Sequence, residues 1–106
     1  MNEPQLCIPR IHASTSKDYI FQKFCKIDWG YIEQIIEIPL VKEPDYKRIV
    51  IKLRWNQKSE TKTYKDMIEN GETVKFVYDQ LNPWFWRISK LTYPGKQSYQ
   101  KYSSTI

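Results

Sequence analysis

Apolar and polar side chains alternate most regularly over Tyr46 to Trp55, YKRIVIKLRW. Ile49, Ile51 and Leu53 interleave there with Arg48, Val50, Lys52 and Arg54. Successive side chains of a strand point to opposite faces, so this spacing predicts a half-buried strand, oily on one side and cationic on the other. Its β-branched content favours the same state. Ahead of it, Gln5 to Ile11 reads as a strand interrupted by Pro9, which cannot donate to a ladder and belongs at a strand end or a bulge. Thr15 or Ser16 can cap the helix that follows, and Thr15 with Asp18 makes a capping-box pattern. Ile20, Phe21, Phe24 and Ile27 then recur at helical spacing with Lys17, Lys23 and Lys26 turned away. This predicts an amphipathic helix over about residues 16–26 lying on a sheet.

Asp28-Trp29-Gly30 ends that helix, with Gly30 as the residue free to take a positive φ. Tyr31 to Ile38 reads as a second strand of split parity. Ile32 shares a face with Ile36 or Ile38 while Ile35 takes the other, so the strand either carries a bulge or is apolar on both faces. Pro39 to Asp45 is a loop. A second helix is expected over about residues 59–70, with Tyr64, Met67 and Ile68 at i, i+3 and i+4 and Gly71 as its stop. Val74, Phe76 and Tyr78 alternate with Lys75 and Val77, Leu81-Asn82-Pro83 turns, and Trp84 to Leu91 returns as the partner strand of a hairpin. Residues 93–106 lack periodicity and read as a flexible polar tail after a single domain at 1–92. The order predicts an α/β (α+β) fold, a ferredoxin-like β-α-β-β-α-β sandwich. It would have a four-stranded antiparallel sheet, two helices on one face and an extra hairpin strand before the last strand.

Composition narrows the function classes. The 106 residues suit one domain. A mean hydropathy of −0.67 argues against a lipid-embedded chain, so no membrane partner is expected. MNEPQLCIPR has no apolar core long enough for a secretory signal, which predicts a cytosolic or nuclear protein with Cys7 and Cys25 reduced and packed as small hydrophobes. His12 is the only histidine and no CxxC occurs, so no metal and no cofactor are expected. Asp28, Glu33, Glu37 and Glu43 form no pair that periodicity brings together, three glycines make no phosphate loop, and catalytic residues are expected to be absent. The expectation is a protein that is not an enzyme.

Charge points elsewhere. Seventeen Lys and Arg against twelve Asp and Glu leave +5. The excess is local: Lys47, Arg48, Lys52, Arg54, Lys58, Lys62 and Lys65 face a single acid, Glu60, within one stretch. Arg10, Arg48, Lys52 and Arg54 are the cations that a sheet face could offer to phosphates, unless that face is simply solvated. Trp84-Phe85-Trp86-Arg87 adds aromatics that cannot all point inward. If Trp84, Trp86 and Ile88 face the core, Phe85 and Arg87 join Arg48 on the open face; the opposite parity exposes Trp84 and Trp86 as an interaction surface. Trp29 and Trp55 flank strand ends and are expected to close the core.

Over about residues 5 to 92 the chain resembles the RNA recognition motif family. Leu6-Cys7-Ile8-Pro9-Arg10-Ile11 sits where that family has its first-strand motif, Trp29 to Ile35 resembles its glycine-started second strand, and Tyr46 to Leu53 occupies its third-strand motif. More loosely, the CIPR, KRIVIKLRW and NPWFWRISK segments resemble small proteins of that fold predicted in large DNA viruses, which would imply host cytoplasm or virion. The resemblance implies RNA binding on the sheet face. The positions that carry stacking aromatics in the family are Cys7, Arg48 and Val50 here, so binding would lean on charge, on guanidinium stacking and on Phe85. The expected partner is RNA or another single-stranded nucleic acid; the alternative is a protein-interaction or structural module. The oligomeric state stays open.

Overall fold

The computed structural model describes residues 3–79 and 84–91. The elements are β1 (Leu6–His12), α1 (Lys17–Ile27), β2 (Gly30–Pro39), β3 (Tyr46–Trp55), α2 (Ser59–Glu69), β4 (Val74–Asp79) and β5 (Trp84–Lys90). The predicted turn at 81–83 and tail at 93–106 lie outside the described residues.

All strands join one antiparallel sheet in the order β2-β3-β1-β5-β4. This corrects the four-stranded sheet expected from the element order: the sheet has five strands. β4 does not end as an appended hairpin arm, because it carries its own inward apolar row. Val74, Phe76 and Tyr78 pack on the core beside Trp86. Burying that row under α1 draws β4 into the sheet as its outermost strand.

The core lies between the sheet and the two helices. Leu6, Ile8, Ile49, Ile51, Leu53 and Ile88 point into it from the strands and meet Ile20 and Phe24 of α1 and Ile68 of α2. Trp86 is its aromatic centre, stacked on Tyr78 at 4.4 Å between ring centroids and on Phe24 at 6.4 Å. Such ring pairs add about 0.5–1.5 kcal/mol beyond the area they bury. Trp29 and Trp55 stack at 5.5 Å and close one end of the core, both buried, and the Trp55 indole donates to the Pro4 carbonyl.

The helices are stopped by local chemistry. Ser16 is the N-cap of α1, its hydroxyl accepting from the Tyr19 amide. Gly71 ends α2 at φ 89°, with its amide donating to the Ile68 carbonyl and the Glu72 amide to Met67, the double bond of a Schellman turn.

Two sequence expectations are corrected, and one left open is resolved. Phe21 and Cys25 of α1 are exposed, because the helix buries the narrower stripe Ile20, Phe24 and Ile27. The positive φ after α1 belongs to Asp28 at 61°, not to Gly30. Gly30 is needed for a different reason: a Cβ there would lie 2.0 Å from the Arg54 carbonyl oxygen. As for β2, its register shifts between Ile32 and Gln34. The bulge turns Ile32 and Ile35 toward the core and leaves Ile36 and Ile38 on the opposite face, so the strand is both bulged and apolar on two sides.

Candidate functional site

The face of the sheet turned away from the helices collects the chemistry. Because Ile49, Ile51 and Leu53 are in the core, strand alternation sends Arg48, Val50, Lys52 and Arg54 of β3 outward. Cys7 pairs with Val50 on one side and with Ser89 on the other, so Cys7 and Ser89 share that face. Two and four residues before Ser89 stand Arg87 and Phe85. Trp86 is buried and Phe85 is 37% exposed, which settles the parity of the WFWR strand. Trp84 has the inward parity of Trp86 but is the first residue of β5 and is 59% exposed.

The six cationic and aromatic positions singled out from sequence for binding, Arg10, Arg48, Lys52, Arg54, Phe85 and Arg87, all reach this outward side, but they are not equivalent. Arg10 is held by Glu43, its Nε 3.2 Å from Oε2, and lies 3.6 Å above the ring of Tyr46. Arg54 donates to Glu33 at 2.7 Å, the glutamate being the extra residue of the β2 bulge, and lies 5.7 Å from the ring of Tyr31. Such exposed pairs are worth about 0–1 kcal/mol, so an anion can compete for these arginines only by displacing a carboxylate. Arg48, Lys52 and Arg87 have no ion pair with any described residue.

The registers align two of these cations, Arg48 and Arg87. Arg48 stands two residues before Val50 and Arg87 two before Ser89, and Val50 and Ser89 both pair with Cys7. The two arginines therefore share one row across the strands, about 10 Å apart at two strand spacings. Lys75 of β4 pairs with Arg87 and continues the row. Beside the row sits Phe85, with the Lys75 ammonium 4.5 Å and the Arg87 guanidinium 5.4 Å from its ring centroid. Alternation alone assigned Lys75 to the polar side of β4, but only the β4–β5 register shows that this side adjoins Arg87. Lys47, counted with the basic run, is the opposite case. It has core-side parity, is 8% exposed, and donates to Glu37 at 2.5 Å and to the Thr15 carbonyl at 2.6 Å.

Between the cations the face is apolar. Cys7 and Val50 are buried although they lie outside the helix-covered core, and Ile36 pairs with Val50. Burial raises the Cys7 thiol above its ordinary pKa, with the Arg48 charge opposing the shift. A protonated, buried thiol is a poor nucleophile. His12 stands at the margin, edge-on to Tyr46 at 5.6 Å and hydrogen-bonded to the Ser14 hydroxyl at 2.7 Å.

On the helical side, a cavity of about 270 Å³ opens between the end of α1 and the start of α2, lined by Ile27, Asp28, Trp29, Lys58, Thr61 and Tyr64. Asp28 and Lys58 are paired at its wall, and the hydrogen bond to Asp28 holds the Lys58 ammonium above its usual pKa, so the amine stays charged. Among the described residues no group of three His, Cys, Asp or Glu side chains is placed to hold a metal ion, and no helix is long and apolar enough to cross a membrane. Comparison with known proteins returned no matching family model, no matching curated protein and no matching solved structure.

Proposed function

We propose that the outward sheet face binds single-stranded RNA, with the cations neutralising phosphates and Phe85 or a guanidinium stacking on an unpaired base. The observation that carries this is the set Arg48, Lys52 and Arg87, cations on one face without a described carboxylate to pair with, on the same face as the half-exposed ring of Phe85, which Arg87 adjoins. Unneutralised cations grouped on one surface raise the local concentration of a polyanion. Stacking of each base on an aromatic adds about 1–3 kcal/mol. The resemblance to the RNA recognition motif family supports the same face, since Cys7, Arg48 and Val50, the positions matching that family's stacking residues, are all on it.

The test is an Arg48→Glu, Lys52→Glu double variant. It should abolish retention of single-stranded RNA at low salt while leaving thermal stability nearly unchanged, because both side chains are exposed. Equal retention by the two proteins sinks the reading.

A second reading is favoured by one observation, the 59% exposure of Trp84 at the start of β5. An exposed tryptophan is a preferred anchor of protein interfaces, which would make the domain a protein-interaction or structural module. Salt separates the two. Phosphate-based binding weakens linearly in log–log form with salt, whereas a tryptophan-centred interface hardly responds.

A further inference from the structure

Lys75 and Arg87 face one another directly across the β4–β5 ladder. Like charges in that position are destabilising. Neither is relieved by an ion pair with a described acid, and both lie within 5.4 Å of the centroid of the same Phe85 ring. Two cations gathered beside one aromatic ring are the complement of one nucleotide: a phosphate needs the charge and the attached base needs the flat surface.

From this juxtaposition we infer that Lys75 of the edge strand β4 and Arg87 and Phe85 of its neighbour β5 form a nucleotide clamp, where one phosphate of a single-stranded nucleic acid sits between the two cations and its base stacks on Phe85. The inference rests on the proposed function of the outward face and deepens it by giving the strand a direction. Arg48, Arg87 and Lys75 lie in one row, so the polymer crosses the strands from β3 to β4, and three strand spacings make this path about 14 Å. At a rise of ~3.4 Å per stacked nucleotide, that row is filled by on the order of four nucleotides. Duplex is rejected at the clamp, because its bases are already stacked and paired and cannot reach Phe85.

The clamp has a signature that a structural role lacks: removing one cation should leave the protein as stable and make the complex weaker. The experiment uses the full chain and its Lys75→Met variant, titrated with a fluorescent twelve-residue poly-uridine strand and with a hairpin duplex of the same length, alongside thermal melts. In Lys75→Met the melting temperature should not fall, because relief of the like-charge cross-strand pair offsets the lost contact with the Phe85 ring. Affinity for the single strand should fall, with a salt slope shallower by about 0.7 for one lost phosphate contact. Phe85→Leu should weaken single-strand binding about 5- to 150-fold, the range for one lost base stack, with the salt slope unchanged. Unchanged single-strand affinity and salt slope in Lys75→Met, or equal affinity of the wild type for hairpin and single strand, overturns the clamp. If the wild type binds the strand and the Arg48→Glu, Lys52→Glu variant does not, while Lys75→Met binds like wild type, only the clamp fails. If the wild type binds no strand, the reading of the face fails with it.

Discussion

The guanidinium of Arg10 lies 3.6 Å above the centre of the Tyr46 ring while its Nε is held by the Glu43 carboxylate. Arg10 is therefore ordered and neutralised at once: the ring fixes its plane and the glutamate cancels its charge. Removing the charge of Glu43 should convert Arg10 into a fifth cation on the outward face without an ion pair to a described residue, beside Arg48, Lys52, Lys75 and Arg87. Glu43→Gln should tighten single-stranded RNA binding and steepen its salt dependence by about 0.7 of a slope unit, measured by anisotropy across a salt series. Identical slopes in variant and wild type would show that Arg10 stays outside the binding path.

Gly30 begins β2 directly against the backbone of β3, paired with Trp55. An alanine Cβ would meet the Arg54 carbonyl oxygen at 2.0 Å and the Trp55 Cα at 2.8 Å, and backbone atoms cannot swing aside as a flexible side chain would. Gly30→Ala should cost about 1–3 kcal/mol or more by forcing the β2–β3 ladder open at that end, read as a lowered urea midpoint. An unchanged midpoint would mean that the strand end is free to shift.

The two thiols should be told apart by alkylation. Cys25 is exposed on α1, whereas Cys7 is buried in the sheet with its thiol pKa raised by that burial. At neutral pH iodoacetamide should label Cys25 first, and the native-state rate at Cys7 should climb only at pH values above the ordinary thiol range of about 8.5. Equal rates at both sites in the native protein would contradict the placement of Cys7.

Glu3 ties the segment ahead of β1 to α2, its carboxylate 2.6 Å from the Lys65 ammonium. The hydrogen bond from Lys65 is the main cause of a carboxyl pKa below its ordinary value, and it outweighs a desolvation effect of opposite sign. A depressed folded-state pKa contributes stability that is present above the unfolded value of about 4.3 and is lost as pH falls through the folded value. Wild-type stability should thus decline below about pH 4.3 more than that of Glu3→Gln, with urea midpoints compared along a series of acidic buffers. Parallel pH curves would remove the Glu3–Lys65 pair from the stability of the fold.

Strand and helix identity was legible in the chain because each rests on a local period. YKRIVIKLRW occupies Tyr46–Trp55, the limits its alternation implies, and Gly71 stops α2 where a positive φ is required. Side-chain direction within β3 followed from the same alternation. Where period and packing diverged, the sequence misled. Phe21 has helical spacing with Ile20 and Phe24, but the sheet beneath α1 covers only the stripe through Ile20, Phe24 and Ile27. The parity of β2 stayed ambiguous because a bulge adds one residue without any change in composition.

The candidate site divides along the same line. Alternation in the chain determined that Arg48, Lys52 and Arg54 share a face, since that follows from covalent geometry alone. Which of these cations are free was decided by tertiary structure, because Glu33 and Glu43 reach Arg54 and Arg10 from other elements. The fifth strand was likewise a tertiary outcome: β4 joins the sheet because its apolar row needs the cover that α1 and Trp86 supply. That pairing sets Lys75 against Arg87 and gathers both beside Phe85. Periodicity reports which way a side chain points, whereas the partner it meets depends on register between strands far apart in the chain.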